Sequence, residues 1–143
     1  MDKSLEVEKS ILINASKTKI WKTLTDPSLI KEYLYGTETI TDWNVGSELI
    51  FQGEWEGKPY RDKGNILEIT PEQILRYDYW SAFSGLEDTP ENYSTVTYTM
   101  EDEGENVRLT VKQKGFGTEE NQRHSEDSWK SVLEKIKEIA EGL

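Results

Sequence analysis

The C-terminal stretch HSEDSWKSVLEKIKEIAEGL, residues 124–143, carries the pattern that decides the fold. Its apolar side chains recur at intervals of three and four residues, so they share one stripe of a helix: Trp129, Val132, Leu133, Ile136, Ile139, Ala140 and Leu143. A helix with one long apolar stripe is stable only when another surface covers that stripe. The rest of the chain must therefore provide a sheet or further helices for this one to pack against.

The segments upstream of this helix read mainly as strands. Alternating apolar side chains or turn-bounded apolar runs mark 5–15, 37–43, 47–55, 60–69, 74–80, 92–100 and 107–116. Short links between most of them predict antiparallel pairing, and a sheet with one apolar face needs a cover. Lys9 interrupts the inward row of the first strand, which predicts a bulge or the mouth of a groove there.

Two short helices are predicted between the first two strands. Ser16 has the character of an N-cap for KTKIWKTL, and Asp26-Pro27 begins a second helix that Gly36 can stop. The resulting order is one strand, two short helices, about six strands and one long helix. This order predicts an α+β fold in a single domain, residues 1–143, with a curved antiparallel sheet of about six to seven strands around the C-terminal helix.

Composition and charge exclude several functions. The formal net charge is −11, which disfavours phosphate backbones and anionic membrane surfaces, so neither nucleic acid nor membrane is an expected partner. The chain has no cysteine and a single histidine, so we expect no metal site and no cofactor. No stretch is long and apolar enough for a membrane span, and MDKSLEVEKS lacks a signal-peptide core. We therefore expect a cytoplasmic protein.

Several segments, in this order, resemble the START-like (SRPBCC) superfamily: INASKTKIWKTLTDPSLIKEYL, WNVGSELIF, GNILEITPEQILRYDY, STVTYTM, VRLTVKQKGF and finally His124, Trp129 and Leu133. Within it the chain is most similar to the group named after the C-terminal domain of the activator of the 90-kDa heat-shock protein ATPase. The resemblance implies a helix-grip fold with a cavity between sheet and helix. Relatives in the superfamily bind hydrophobic ligands in that cavity, and a few catalyse cyclisation.

An aromatic wall is the first candidate site. If the strands keep their parity, one cavity is lined by Tyr33, Trp43, Phe51, Trp55, Tyr77, Tyr79, Tyr98, Gln113, Phe116, Trp129 and Leu133. Apolar pockets with a few polar tips are typical of small-molecule sites. The alternative is that the same rings interdigitate and leave no void. The loop 81–92 and the segment 26–36 would gate the mouth of such a cavity.

Three ionisable residues are candidates for acid/base chemistry. Glu68 and Asp78 lie in apolar strands, and His124 is the only side chain that ordinarily titrates near neutral pH. Each has a simpler alternative. Glu68 and Asp78 can face solvent or pair with a nearby Lys or Arg such as Arg76, and His124, about 140° from Trp129 around the helix, can be a surface residue.

Three functions follow from these observations. The first is binding of a small hydrophobic or aromatic ligand between the sheet and the C-terminal helix, without catalysis. The second is a chaperone-associated or stress-response interaction with a protein partner, which the resemblance and the acidic surface favour. The third and weakest is an enzyme of the cyclase or dehydratase type, because it needs an acid and a base placed around a substrate.

Overall fold

The structure is a computed structural model that describes residues 5–34, 36–82, 86–115 and 119–143, with the backbone alone at Trp55. Its seven strands are β1 (Glu6–Ile13), β2 (Glu38–Ile40), β3 (Glu48–Trp55), β4 (Lys58–Thr70), β5 (Ile74–Tyr79), β6 (Ser94–Glu103) and β7 (Asn106–Lys114). Its helices are α1 (Lys17–Thr25), α2 (Pro27–Tyr33) and α3 (Glu119–Glu141), with a short 3-10 turn at Pro90–Asn92.

The strands form one antiparallel sheet in the order β1-β7-β6-β5-β4-β3-β2. From β2 to β7 each strand pairs with the next along the chain, whereas β1 crosses to the far edge and pairs with β7. Helix α3 contacts β1, α1 and α2, so the two short helices and the long one lie together over the sheet. The predicted α+β helix-grip architecture is confirmed.

Both predicted N-caps of the short helices are present. The Ser16 side chain accepts a hydrogen bond from the Lys19 backbone N–H at 3.2 Å, and Asp26 accepts one from the Ser28 N–H at 2.9 Å. Pro27 occupies the first turn of α2, where its missing N–H costs nothing. These caps start both helices where the sequence predicts and turn the chain sharply between them.

Of the two features predicted at Lys9, a bulge or the mouth of a groove, the bulge is absent. The β1–β7 ladder is continuous from Glu6 to Ile13, with Lys9 opposite Val111. Instead, the Lys9 ammonium reaches Glu126 on α3, at 3.0 Å. The long aliphatic stem lets a lysine occupy an inward-facing row while its charge stays at the edge of the sheet, so the strand needs no irregularity.

A register shift lies in β4, between Ile66 and Glu68. It places Ile66 opposite Tyr77 and Ile69 opposite Leu75, so both isoleucines face the core. One extra residue reverses the alternation, which leaves Leu67 42% exposed. The shift puts Ile69 rather than Glu68 on the buried face of this strand, which alternation alone does not predict.

The core lies between the sheet and α3. The helix buries Val132, Leu133, Ile136 and Ala140, as its apolar stripe predicts, and Trp129 and Ile139 pack partly buried beside them. Leu143, although on the same stripe, is 42% exposed because α3 ends at Glu141. Within the described residues, no helix is long and apolar enough to cross a membrane.

Candidate functional site: an aromatic cavity with one buried carboxylate

A cavity of about 420 Å³ lies between the sheet and α3. Its wall comes from the inward faces of β3 to β7, from all three helices, and from the segments that follow β2 and β5. Most of the lining side chains are aliphatic or aromatic, and the polar ones cluster towards α3 and the segment after β5. Its volume falls in the range of ordinary small-molecule sites, about 300–1,000 Å³.

Eight of the residues predicted for the aromatic wall line this cavity: Tyr33, Trp43, Phe51, Tyr77, Tyr79, Tyr98, Gln113 and Trp129. Leu133 does not line it, because its side chain is buried in the core. Phe116 and the side chain of Trp55 lie outside the described part of the chain. Alternation in the strands therefore located five of these residues: Phe51, Tyr77, Tyr79, Tyr98 and Gln113.

The rings meet one another at angles typical of aromatic clusters. The Phe51 ring lies 6.0 Å from the rings of both Tyr77 and Tyr79, and Tyr98 meets Trp129 edge-on, 5.8 Å between centroids and 87° between planes. Such tilted and edge-to-face pairs are the arrangements that ring quadrupoles favour. The contacts fix the rings of the wall in place around a space that they do not fill.

Burial controls the ionisation of the cavity tyrosines. It raises the pKa of Tyr33, Tyr77 and Tyr98, and a neighbouring tyrosine raises that of Tyr33 and Tyr98 further. The pKa of Tyr79 is raised first by burial and then by the charge of Asp62. These hydroxyls therefore stay protonated at neutral pH, so the wall offers O–H donors rather than phenolate charges.

Gln113 connects the sheet to α3. Its side-chain oxygen accepts a hydrogen bond from the Trp129 indole N–H at 2.8 Å, and its NH₂ donates one to the Ser94 hydroxyl at 2.8 Å. Gln113 and Ser94 are both buried, where an unpaired polar group would be costly. The amide thus holds the Trp129 ring against the wall and completes a polar bridge from β6 through β7 to the helix.

Asp62 is the cavity residue that sequence reasoning missed. It is 7% exposed, and it is the only Asp, Glu, Lys or Arg among the described residues that line the cavity. One carboxylate oxygen accepts a hydrogen bond from the Tyr79 hydroxyl at 2.6 Å, and the other accepts one from the Ala82 N–H at 2.7 Å. Burial raises the pKa of this carboxyl, and the two hydrogen bonds oppose that rise.

The sequence did contain a signal for Asp62. It shares strand parity with Gly64 and Ile66, and it lies opposite Phe51 across the β3–β4 ladder. Its immediate neighbours, Arg61 and Lys63, are basic. Asp62 lies four residues before the buried Ile66, so strict alternation puts both side chains on the inner face. The alternation fails only beyond Ile66, where the register shift precedes Glu68.

Gly64 shapes the sheet beside this carboxylate. A Cβ atom at this position would lie 1.8 Å from the backbone oxygen of Asp78, so only glycine permits the close approach of β4 to β5. Just beyond it the Asp78 carboxylate accepts the Asn65 N–H at 2.7 Å. The close contact brings Tyr79 on β5 within reach of Asp62 on β4.

The three acid/base candidates lie elsewhere or at the rim. Glu68 pairs with Arg76 at 2.9 Å, and Asp78 accepts hydrogen bonds from Asn65; neither lines the cavity. His124 does line it, on an exposed part of α3. Across the described ranges, no group of three His, Asp or Glu side chains is placed to hold a metal ion. Inside the cavity, the Asp62 carboxylate instead pairs with the Tyr79 hydroxyl.

A seven-stranded antiparallel sheet that packs on a long C-terminal helix, with a cavity between them, defines the START-like class of helix-grip proteins. The family profile described as Activator of Hsp90 ATPase homolog 1-like protein matches residues 14–141. The chain therefore belongs to this family, and the resemblance predicted from the sequence is confirmed.

Solved structures share the fold along their whole length. The protein ChR145 from Cytophaga hutchinsonii is 40% identical, with a TM-score of 0.84 over 99% of this chain and 97% of that one. MLL2253 from Mesorhizobium loti is 22% identical, with a TM-score of 0.79 and 94% and 95% of the two chains covered. The Aha1 dimer from Colwellia psychrerythraea is 16% identical, with a TM-score of 0.75 and 95% and 96% covered. No curated protein matches the chain.

Proposed function

We propose that this protein binds a small hydrophobic or aromatic ligand in the cavity between its sheet and α3, and releases it unchanged. The observation that carries the proposal is the cavity itself, about 420 Å³, with a wall that is mostly aromatic and aliphatic and with its polar side chains mainly towards α3 and the segment after β5. Apolar area buried on binding would provide the affinity, at roughly 25 cal/mol per Å² before the costs of ordering. A cytoplasmic location remains a prediction from the sequence.

The polar groups of the wall support orientation of a ligand. The side chains of Gln113 and Ser94 are already engaged with Trp129 and with each other, so they stiffen the wall. Asn92 and Ser81, on the segment after β5, and Ser128 on α3 lie nearer the outside. This arrangement supports entry between that segment and the helix, with the apolar part of the ligand innermost.

Native mass spectrometry of the purified protein, followed by a thermal-shift screen of lipids, aromatic compounds and polyketide-like compounds, tests the proposal. A bound ligand raises the melting temperature in a saturable way, because it stabilises the folded state by about 2.7 kcal/mol at one hundred times its dissociation constant. The recovered ligand should have unchanged mass. A screen without any saturable shift would contradict the proposal.

Two matched variants locate the binding. Ser128 and Ser131 both lie exposed on α3, but only Ser128 lines the cavity. The change Ser128→Trp should fill the mouth and weaken binding of a screened ligand at least about tenfold, whereas Ser131→Trp should leave it unchanged. Equal effects of the two variants would place the binding outside the cavity.

A second candidate function is interaction with a protein partner of the chaperone type. The family takes its name from an activator of the Hsp90 ATPase, and the net charge of −11 could meet a basic partner surface. Val45 is 65% exposed, and the Gly46 N–H bonds to the Ile66 carbonyl at 2.8 Å, which brings Val45 near the exposed Leu67.

An Hsp90 ATPase assay with the wild type and with the double variant Val45→Ser/Leu67→Ser tests this second function. Stimulation that the double variant loses would support this function, and no stimulation would contradict it.

A further inference from the structure

We infer that the ligand carries a positively charged amine and that the Asp62 carboxylate is its anchor. This inference rests on the proposed function and adds the chemical class of the ligand. Three features of the described structure support it: the position of Asp62 in the cavity wall, the hydrogen bonds that hold its carboxylate, and the rings around it.

The first feature is a buried carboxylate with no cation beside it. Asp62 is 7% exposed, and none of the ion pairs formed among the described residues includes it. A carboxylate removed from water without a countercharge weakens the folded protein. An ammonium group in the adjacent cavity would provide that countercharge, so ligand binding would offset the cost.

The second feature is the orientation of the carboxylate. Both of its oxygens accept hydrogen bonds from protein donors, the Tyr79 O–H at 2.6 Å and the Ala82 N–H at 2.7 Å. This pattern matches the ionised form, which only accepts hydrogen bonds and carries no proton of its own. A carboxylate has about four lone-pair positions, so two remain for the N–H groups of a ligand.

The third feature is the aromatic surroundings. Phe51 lies directly opposite Asp62 across the β3–β4 ladder, and the Phe51 ring is 6.0 Å from the Tyr79 ring whose hydroxyl Asp62 holds. Ring faces attract cations within about 6 Å of their centroids, most strongly where water is excluded. The carboxylate would repel an anionic ligand, and a neutral ligand would lack the attraction that a cation has to both the rings and the carboxylate.

Isothermal titration at pH 7 in 0.15 M salt, about physiological ionic strength, can test the inference. The probes are two pairs that differ only in the charged group: 2-(2-naphthyl)ethylamine with 2-(2-naphthyl)ethanol, and phenethylamine with phenethyl alcohol. Wild type should bind the better amine at least about tenfold more tightly than its alcohol, because the ammonium adds the attraction of opposite charges to the hydrogen bond that either group donates to the carboxylate.

The matched variants are Asp62→Asn and Asp78→Asn. Each removes one negative charge, but Asp78 lies outside the cavity, so the pair separates local recognition from general attraction of cations to an acidic protein. The preference for the amine should disappear in Asp62→Asn and persist in Asp78→Asn. Circular dichroism and the melting temperature of each variant confirm that it is folded.

The outcomes distinguish this inference from the function on which it rests. Alcohols that bind wild type as tightly as amines would overturn the inference and leave the proposed function standing. A preference for amines that survives in Asp62→Asn, or that Asp78→Asn also abolishes, would overturn it too. If neither probe pair binds and the broader screen shows no ligand, the proposed function fails and the inference fails with it.

Discussion

At the scale of single residues, Asp62 combines a cost to folding with a position suited to binding. Its carboxylate is buried against Phe51 and Tyr79, and its hydrogen bonds to Tyr79 and Ala82 compensate only part of the lost hydration. Groups that weaken the folded state in this way are often found at functional sites. The two roles can be measured separately, one by unfolding and the other by ligand titration.

Stability should depend on pH through Asp62. Burial raises the pKa of the carboxyl above its ordinary value of 3.8. Between that value and the raised one, the folded protein binds more protons than the unfolded chain, so stability falls as pH increases through this window and stays lower above it. Each unit of the rise corresponds to about 1.4 kcal/mol.

The Asp62→Asn variant isolates this effect. Its amide keeps an acceptor and a donor at the site but has no charge to bury, so its free energy of unfolding relative to wild type should increase from pH 3.5 to pH 7. Urea unfolding of both proteins across that range measures the difference, and contributions of other carboxylates cancel. A difference that stays constant with pH would contradict the expectation.

At the scale of secondary-structure elements, two contacts set the shape of the cavity. Gln113 on β7 ties α3 to the sheet through the Trp129 indole, and Gly64 lets β4 approach β5. The first decides how α3 lies over the wall, and the second brings Asp62 and Tyr79 together. The first contact depends on the Gln113 side chain, and the second depends on the lack of a side chain at Gly64.

The change Trp129→Phe should cost about 1–3 kcal/mol of stability. Phenylalanine keeps an aromatic ring against Tyr98 but leaves the buried Gln113 oxygen without its donor. Urea unfolding measures the loss, and the double variant Trp129→Phe/Gln113→Leu should recover part of it by removing the orphaned acceptor. If the stability lost in the double variant equals the sum of the losses in Trp129→Phe and in Gln113→Leu, the hydrogen bond contributes nothing.

The change Gly64→Ala should destabilise the fold by about 1–3 kcal/mol, because the new methyl group would meet the backbone of Asp78 and force the strands apart. Gly53→Ala on β3 is the control: there the methyl group would meet the Tyr60 hydroxyl, the end of a side chain, at 2.7 Å. Denaturation should show a smaller loss for Gly53→Ala. Equal losses would mean that the approach of β4 to β5 is not critical.

At the scale of the whole molecule, electrostatics is dominated by the net charge of −11. The ion pairs described in the structure lie on the surface, where each contributes little, so self-repulsion should outweigh them. The excess charge also favours cations over anions as ligands in general, which is why the test of Asp62 needs a variant of equal charge.

Raising NaCl from 0.01 to 0.15 M should therefore increase the free energy of unfolding, on the order of 1 kcal/mol. The screening length falls from about 30 Å to about 8 Å in this range, which weakens repulsion across the molecule more than contact between paired charges. Urea unfolding at several salt concentrations measures the slope, with KCl as the control for ion identity. A decrease in stability would show that the surface pairs outweigh the repulsion.

The sequence by itself determined the order of elements, both N-caps and most of the aromatic wall. These features depend on local rules: the periods of helix and strand, and the residue types that cap a helix. Parity placed Phe51, Tyr77 and Tyr98 on the inner face, because alternation is maintained along each of their strands. The stripe on α3 likewise identified the helix that covers the sheet.

Only the tertiary structure decided where alternation stops and which carboxylate faces the cavity. The register shift between Ile66 and Glu68 sends Glu68 outward to Arg76, and Asp62 faces inward despite its two basic neighbours. Register shifts and burial of a charge depend on contacts between strands distant in sequence, such as β4 with β5. The register shift has no local signature, and the parity that puts Asp62 on the inner face can be read only once the position of the shift is known, so the place of this carboxylate in the cavity was decided by the assembled sheet.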